Sequence, residues 1–253
     1  MEATLSDFEI QPIVDLASNR VCGGEVLWRP GGRGLDAELI RQLTEEPLLN
    51  IEVTRSAFLL AMQTLEQIES DAWLSINFPT YFLGNGNFFF KSLARAVPDL
   101  EKAKRQAGKR LVIELSEDDL IREEGLNLID RLGTDHSVAI DDFGSGHAPL
   151  LNMVKLNFDK VKIDRSIVSG CDADGKKQRF IKWLVNGCHA IGASVCAEGV
   201  ETESELAFLK RCQVDEGQGY LWSPSVSVEK FINMAAPVKS NLQSLGQVIE
   251  LNK

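Results

Sequence analysis

Acidic and amide residues stand at the ends of several short apolar segments of this chain, where they could act together on one substrate. Successive residues of a β-strand point to opposite faces, so Asn77 in the segment LSIN faces away from the apolar Leu74 and Ile76. A single acidic residue at a strand end usually caps a helix or meets solvent. Several on one rim indicate a shared site. The set is Glu25, Asn77, Glu114, Asp141, Asp142, Lys162 and Glu198.

The five carboxylates of this set predict a site for divalent cations. Two unit charges about 4 Å apart, at an effective dielectric constant near 20, repel by roughly 4 kcal/mol, and Lys162 alone is too little to neutralise them. Oxygen ligands select hard cations, and no histidine stands near these positions to suggest zinc. Two ions about 3.5–4 Å apart that share a carboxylate are the usual arrangement for displacement at a phosphodiester. We therefore expect two Mg2+ or Mn2+ ions.

The elements that position these residues are predicted by an alternation of short apolar segments with longer helical patterns. This alternation is typical of parallel strands joined by right-handed crossovers. It favours an α/β fold, a (β/α)8 TIM-like barrel with its chemistry at the carboxyl ends of the strands. Only a short turn separates the first two strands, which should form an antiparallel hairpin. The expected strands are Phe8–Val14, Val21–Trp28, Trp73–Asn77, Leu111–Leu115, Ser137–Asp141, Lys160–Asp164, Ser194–Ala197 and Gln213–Gly217. The expected helices are Ile51–Glu69, Phe88–Ala103, Asp118–Leu132, Lys176–Ile191 and Glu203–Arg211.

Composition and charge restrict the class of protein. The formal net charge is −10, and the densest basic segment, residues 102–110, is interpreted as a solvated helix end, which argues against binding to DNA. We find no apolar run long enough for a membrane span and no signal peptide at the start. Five dispersed cysteines without a C-x-x-C pair predict reduced thiols in the cytoplasm. One domain is expected over residues 1–236, followed by a tail or helix over 237–253.

Eight motifs in order resemble the EAL domain of cyclic-di-GMP phosphodiesterases, over roughly Phe8 to Met234. The segment EVLWR, Glu25–Arg29, stands where the name-giving Glu-Ala-Leu and its arginine fall, with valine in place of the usual alanine. The other motifs are QPIVDL at Gln11–Leu16, SIN at Ser75–Asn77, ELSE at Glu114–Glu117, DDFGSG at Asp141–Gly146, KID at Lys162–Asp164, AEGVE at Ala197–Glu201 and QGY at Gln218–Tyr220.

The resemblance implies a metal-dependent hydrolase that opens cyclic-di-GMP to linear pGpG, with calcium typically inhibiting. Asp141 would bridge two ions. The first ion would be held by Glu25, Asn77, Glu114 and Asp141, and the second by Asp141, Asp142 and Glu198. The residues implied to position the attacking water are Lys162, Glu198 and Gln218.

The resemblance also implies residues around the substrate and the DFGSG loop. Gln11 and Arg29 resemble the residues that contact a guanine and a phosphate. Asp164, also assigned to substrate binding, could orient Lys162 or simply cap the next helix. The residues expected to anchor the loop are Glu117, Ser145 and Glu201.

Partners and rival functions complete the expectations. The family resemblance implies a homodimer and a part in the control of motility and biofilms, and a separate regulatory protein partner is conceivable. The stretch after the loop, His147–Pro149, departs from the family pattern. Two alternatives stay open, namely a cyclic-di-GMP receptor without turnover and a degenerate EAL protein that acts by protein–protein contact. Both usually lose metal ligands or the lysine, all of which are present here.

Overall fold

Eight β-strands close into a barrel, as the sequence predicts. The structure is a computed structural model, which describes residues 4–32, 34, 36–78, 110–117, 137–144 and 156–237. The strands are β1 (Phe8–Asp15), β2 (Arg20–Trp28), β3 (Trp73–Asn77), β4 (Leu111–Ser116), β5 (Ser137–Phe143), β6 (Lys160–Ile163), β7 (Ser194–Ala197) and β8 (Glu216–Gly217).

The first two strands form the expected antiparallel hairpin. Its turn contains Asn19 in the left-handed region, with φ of 55°, a conformation that asparagine tolerates better than most residues. From β2 to β8 each strand pairs in parallel with the next, and the antiparallel pairing of β1 with β8 closes the barrel. All strands from β2 onward therefore present their carboxyl ends at one rim.

Six α-helices lie among the described residues. They are α1 (Ala37–Glu45), α2 (Pro47–Gln67), α3 (Arg165–Val168), α4 (Gly175–Ala190), α5 (Glu203–Arg211) and α6 (Val228–Ala235). Helix α2 begins four residues before the expected start at Ile51, because Pro47 occupies its first turn, where the missing N–H of proline has no cost. No helix in these ranges is both long and apolar enough to cross a membrane.

The bounds of β1, β2, β4 and β5 differ from the predicted ones by one or two residues, and the bounds of β6 and β8 differ for local reasons that the structure shows. Strand β6 ends at Ile163 rather than Asp164, since the Asp164 side chain accepts a hydrogen bond from the backbone N–H of Ser166 and begins α3. Strand β8 is shorter than the expected Gln213–Gly217, and Gln213 has a φ of 60° that interrupts extended backbone. The predicted helices 88–103 and 118–132, residues 145–149 and the tail beyond Pro237 lie outside the described residues.

The two ends of the barrel interior carry different chemistry. At the amino-terminal end of β6, the buried ammonium of Lys160 pairs with Glu216 and lies 4.5 Å from the ring centroid of Trp73. Lys160, Glu216 and Trp73 thus form an ion pair with a cation–π contact, and the charge of Lys160 is balanced within this group. Two residues further along the same strand, Lys162 lies toward the opposite rim, where the acidic residues are found.

Candidate active site

Strand register brings the predicted polar residues to one rim. Gln11 on β1 stands beside Glu25 on β2, and Asn77 at the end of β3 stands beside Glu114 on β4. The Asn77 amide donates a hydrogen bond of 3.0 Å to Glu25 Oε1 on the adjacent strand β2. Residues far apart in sequence therefore form one continuous wall.

Two groups of three carboxylates share one member. One oxygen from each of Glu25, Glu114 and Asp141 lies within 4.8 Å of the others, and the same holds for Asp141, Asp142 and Glu198. Glu114, Asp141 and Asp142 lie near the carboxyl ends of β4 and β5, Glu198 directly follows β7, and Glu25 lies three residues before the end of β2. The family resemblance implies these residues as ligands, with Asp141 shared, and their role as metal ligands stays a prediction.

A β-bulge explains how two consecutive aspartates reach one site. Strict alternation would send Asp141 and Asp142 to opposite faces. The β5–β6 register shifts between Ile140 and Phe143, so the two aspartates together oppose the single Lys162. Asp142 takes a φ of 52°, which is uncommon for a residue with a side chain. Periodicity in the sequence carried no signal for this bulge.

Lys162 is the electrostatic centre of the site. Its side chain is 0% exposed, and its Nζ lies 2.7 Å from Glu198, 2.9 Å from Asp141, 3.0 Å from Glu114 and 3.1 Å from Glu25. Burial would lower the pKa of this ammonium, but the surrounding carboxylates raise it well above its usual value. Lys162 therefore carries a fixed positive charge.

One lysine leaves the carboxylates with an excess of negative charge. Burial and the charge of Glu25 raise the pKa of Glu114 well above its usual range. Burial is also the main cause that raises the pKa of Glu198 to about 8 and that of Asp142 to about 6, with Asp141 adding repulsion in both. At Glu25, burial is outweighed by Lys162 and by hydrogen bonds from Gln218 and Asn77, so its pKa is lowered.

Buried oxygens without hydrogen bonds fit a bound cation. Among the described residues, the buried Glu114 Oε2 has no hydrogen-bond partner, and the buried Glu114 Oε1 and Asp141 Oδ1 are close to the Lys162 ammonium, at 3.0 and 2.9 Å, but accept no hydrogen bond. One ammonium shared among four carboxylates does not balance their charge, and buried carboxylates cost free energy unless further positive charge meets them. Together with an all-oxygen ligand set, these atoms suit a hard divalent ion.

Gln218 is held against the same cluster. Its amide donates to Glu25 Oε2 at 2.9 Å, and its backbone N–H bonds to the carbonyl of Ala197. The following Gly219 lies so close to Val200 that a Cβ would come within 2.1 Å of the Val200 carbonyl oxygen. The glycine of the QGY motif is thus required by a close backbone approach, which fixes the position of Gln218.

The predicted loop anchors have different surroundings. Glu117 accepts a hydrogen bond of 2.8 Å from the backbone N–H of Gly144, which ties β4 to the start of the DFGSG loop. Glu201 pairs with Arg165 at 2.6 Å, a contact that the motifs did not indicate. Ser145 and the loop beyond it lie outside the described residues, so their anchoring stays a prediction.

The predicted substrate residues line a polar cavity of about 390 Å3 over the carboxylates. Gln11, Arg29 and Asp164 all border it, and Asp164 also caps α3, the second of the two roles considered for it. Arg165 and Tyr220 border the cavity as well. Tyr220 is the last residue of the QGY motif and was given no role there, and Arg165 directly follows the KID motif.

The chain matches the EAL domain family over residues 5–225. It belongs to that family. Among curated relatives of this EAL domain, the cyclic di-GMP phosphodiesterase NbdA of Pseudomonas aeruginosa is 32% identical over 58% of the chain and 21% of its own length. The probable cyclic di-GMP phosphodiesterase PdeG of Escherichia coli K12 is 26% identical over 86% of the chain and 44% of its own length.

One further relative is named as a regulator, and two solved structures share the fold. The blue light- and temperature-regulated antirepressor BluF of Escherichia coli K12 is 24% identical over 88% of the chain and 55% of its own length. The EAL enzyme Bd1971, with cAMP and cyclic-di-GMP bound, matches with a TM-score of 0.77 at 24% identity over 90% of this chain and 64% of its own. BlrP1 of Klebsiella pneumoniae, a manganese and cyclic-di-GMP complex, matches with a TM-score of 0.73 at 28% identity over 87% of this chain and 55% of its own. This EAL domain thus spans only part of these curated relatives.

Proposed function

We propose that this EAL domain hydrolyses cyclic-di-GMP to linear pGpG with the help of two Mg2+ or Mn2+ ions. The observation that carries the proposal is the pair of carboxylate groups that share Asp141 and surround the buried Lys162. The arrangement has the composition that phosphodiester displacement by two cations requires. Relatives named cyclic di-GMP phosphodiesterases support the choice of substrate.

The metal ligands in this proposal are the predicted ones. Asp141 would be the residue common to both ions. Glu25, Asn77, Glu114 and Asp141 would hold the first ion, and Asp141, Asp142 and Glu198 the second. When bound, the ions supply positive charge that activates water and stabilises the charge that develops on the phosphate.

The side chains of the domain perform the remaining tasks. A water molecule attacks the phosphorus, the new P–O bond forms as the bond to the 3′ oxygen breaks, and the leaving 3′ oxygen takes up a proton from solvent. Glu198 takes the proton of the attacking water. Lys162 adds a fixed charge aimed at the developing negative charge. Gln218 orients the water, since its own position is fixed by Glu25 and by the tight turn at Gly219.

Substrate contacts are proposed at the polar cavity. Arg29 would bind a phosphate and Gln11 a guanine, and Asp164 would contact the substrate from the start of α3. The Gln11 amide lies 3.5 Å from the Ser223 carbonyl oxygen, so its orientation is already restrained. We further propose a cytoplasmic homodimer as the working form.

The test is conversion of cyclic-di-GMP to pGpG by the purified protein with Mg2+ or Mn2+, beside Glu25→Gln and Glu216→Gln. We expect Glu25→Gln to lower kcat at least about 100-fold, because Glu25 joins the ligand set to Lys162 and Gln218. Glu216→Gln removes a carboxylate at the opposite end of the barrel and should retain turnover. A wild-type protein with no turnover under any metal contradicts the proposal.

A receptor or regulator without turnover is the second candidate, and the relative BluF, named an antirepressor, is the observation that favours it. Tight binding of cyclic-di-GMP with no pGpG formed would indicate a receptor. Absence of both binding and turnover would indicate action through a protein partner. The intact set of carboxylates and lysine at the rim supports the hydrolase over both.

A further inference from the structure

Exposed apolar side chains lie along one face of helix α4. Phe180 is 37% exposed and Trp183 is 53% exposed, and Ile191, the residue that caps the helix, is 49% exposed. Together with Gly187 these positions recur every three or four residues, which places them on one face of a helix. The ring centroids of Phe180 and Trp183 are 5.8 Å apart. An exposed apolar surface that continues along a helix is a candidate contact site.

A different side of α4 packs on the barrel. Its buried residues, which belong to the main core, are Ile181, Leu184, Val185 and Cys188. Lys177 also points toward the barrel, since its Nζ donates hydrogen bonds of 2.6 Å to the carbonyl oxygens of Ser166 and Ser169. Packing of the fold therefore accounts for these residues but gives no reason for the exposed rings of Phe180 and Trp183.

Three cationic side chains border the exposed apolar residues. Lys176, Arg179 and Lys182 are all exposed. Lys176 stands four residues before Phe180, and Arg179 stands four before Trp183, so each cation is next to a ring on the helix surface. The helix contains no aspartate or glutamate, and no described carboxylate forms an ion pair with any of the three. In a chain of formal charge −10, this is a local excess of positive charge.

We name this surface the α4 face, and it consists of Lys176, Arg179, Phe180, Lys182, Trp183 and Ile191. Its composition indicates what it contacts. A second copy of the chain in a two-fold contact would place the same cations against one another, which costs free energy. An anionic lipid surface suits both halves of the face, because lysine and arginine are attracted to its phosphates and aromatic rings lie where headgroups meet acyl chains. The charge of the face therefore favours lipid over a second copy.

We propose that the α4 face docks on an anionic phospholipid surface. Trp183 and Phe180 enter the headgroup region, and the three cations contact the lipid phosphates around them. Because one side of α4 is packed on the barrel, the helix lies along the surface and does not cross it. The inference goes beyond the proposed reaction and does not depend on it.

The test is sedimentation of the purified protein with vesicles in EDTA, so that cations at the carboxylate rim cannot bridge to lipid. The probes are vesicles of equal parts phosphatidylglycerol and phosphatidylcholine, and vesicles of phosphatidylcholine alone. One variant combines Lys176→Gln, Arg179→Gln and Lys182→Gln, and a second variant is Trp183→Ala. These side chains are exposed, so the variants should fold.

Two control variants make the same kinds of change away from the α4 face. Lys230→Gln removes an exposed cation from α6, and Leu48→Ser removes a 71% exposed apolar side chain from α2. Both should bind vesicles as the wild type does. A general effect of charge or of surface apolarity would instead appear in the controls as well, and this would contradict a specific α4 face.

We expect the wild type to bind the phosphatidylglycerol vesicles and not the neutral ones, and binding should weaken as NaCl is raised. Each basic residue near an anionic surface contributes about fivefold in affinity, so the triple variant should lose on the order of 100-fold. Trp183→Ala should lose about fivefold or more, because the ring no longer enters the interface. Brominated phosphatidylglycerol should quench the emission of Trp183, taken as the difference between wild type and Trp183→Phe.

Several outcomes would overturn the lipid contact. They are a wild type that sediments with neither kind of vesicle, equal binding to both kinds, and a triple variant that binds as the wild type does. Light scattering tests the second copy, since a molecular mass that halves in Trp183→Ala would assign the α4 face to an interface between copies and overturn the proposal. Loss of cyclic-di-GMP turnover bears only on the proposed function, and loss of vesicle binding bears only on this inference.

Discussion

Asp141 and Lys162 are in direct contact at the rim, and most of the proposed chemistry of the site depends on this contact. Asp141 belongs to both carboxylate groups, and the ammonium of Lys162 lies 2.9 Å from it. The bulge in β5 places Asp142 beside them. A local irregularity of one strand thus gives the acidic cluster its shared member and a second aspartate.

Protonation of the rim should make cation binding depend on pH. In the metal-free protein the pKa of Glu198 is raised to about 8 and that of Asp142 to about 6, mainly by burial. Cations bind the charged forms, so we expect Mn2+ affinity to rise as the pH increases from about 6 to about 8, with protons released on binding. Titration calorimetry in buffers of different ionisation enthalpy measures both. Glu198→Gln should flatten the upper part of the profile, and an affinity independent of pH contradicts the assignment.

Substituting the two buried lysines one at a time distinguishes the effect of a charge inside the site from the effect of a charge elsewhere in the barrel. Lys162→Met leaves four carboxylates without their ammonium, so we expect loss of turnover by at least about 100-fold and a destabilisation of about 3–5 kcal/mol without metal. Lys160→Met, two residues earlier, removes the partner of Glu216 and should lose comparable stability while turnover survives. Chemical denaturation and pGpG formation measure the two effects. Equal loss of turnover in both variants would show that stability alone is responsible.

At the scale of elements, the first turn of helix α5 holds in place the segment that connects β7 to α5. The Glu205 carboxylate accepts backbone N–H groups of Gly170 at 2.7 Å and of Glu201 and Thr202 at 3.0 Å. The Glu205 backbone N–H in turn donates to the Thr202 hydroxyl oxygen, which completes a capping box. One buried carboxylate therefore joins the segment that follows Glu198 to the turn after α3.

Loss of the Glu205 charge should destabilise the protein in a pH-dependent way. Burial would raise its pKa, but the backbone N–H groups outweigh it and the pKa is lowered. The stabilisation is therefore present above the unfolded value of about 4.3 and lost as the pH falls through the lower folded value. We expect Glu205→Gln to cost about 1–3 kcal/mol at neutral pH and much less in acid, by urea denaturation. Glu203→Gln, exposed on the same helix, should cost little, and a pH-independent loss at Glu205 would contradict the charge as its cause.

At the scale of the whole molecule, the formal charge of −10 and the excess of carboxylates at one rim favour cation binding in the folded state. A ligand that binds only the folded state raises the melting temperature. We expect Mn2+ to raise Tm saturably and EDTA to reverse the increase, followed by scanning calorimetry. Glu114→Gln should lose most of the increase. NaCl at equal ionic strength is the control for general screening, and an equal effect of NaCl would contradict a specific site.

The sequence by itself determined the barrel and the residues of the rim. Period-two alternation places Asn77 and Glu114 on the inner face, and parallel strands in a closed barrel present their carboxyl ends together, so composition and spacing were sufficient. The observed bounds at Ile163 and Glu216 differ from the predicted ones for local reasons. A side-chain helix cap ends the first strand early, and a residue in the left-handed region delays the start of the second. The alternation of apolar and polar residues encodes neither effect.

The tertiary structure alone decided how the rim residues meet. The bulge that gathers Asp141 and Asp142, the convergence of four carboxylates on Lys162 and the raised pKa of Glu198 all depend on strand register and burial. These are properties of distances between segments remote in sequence, and a periodic pattern along the chain contains no information about such distances.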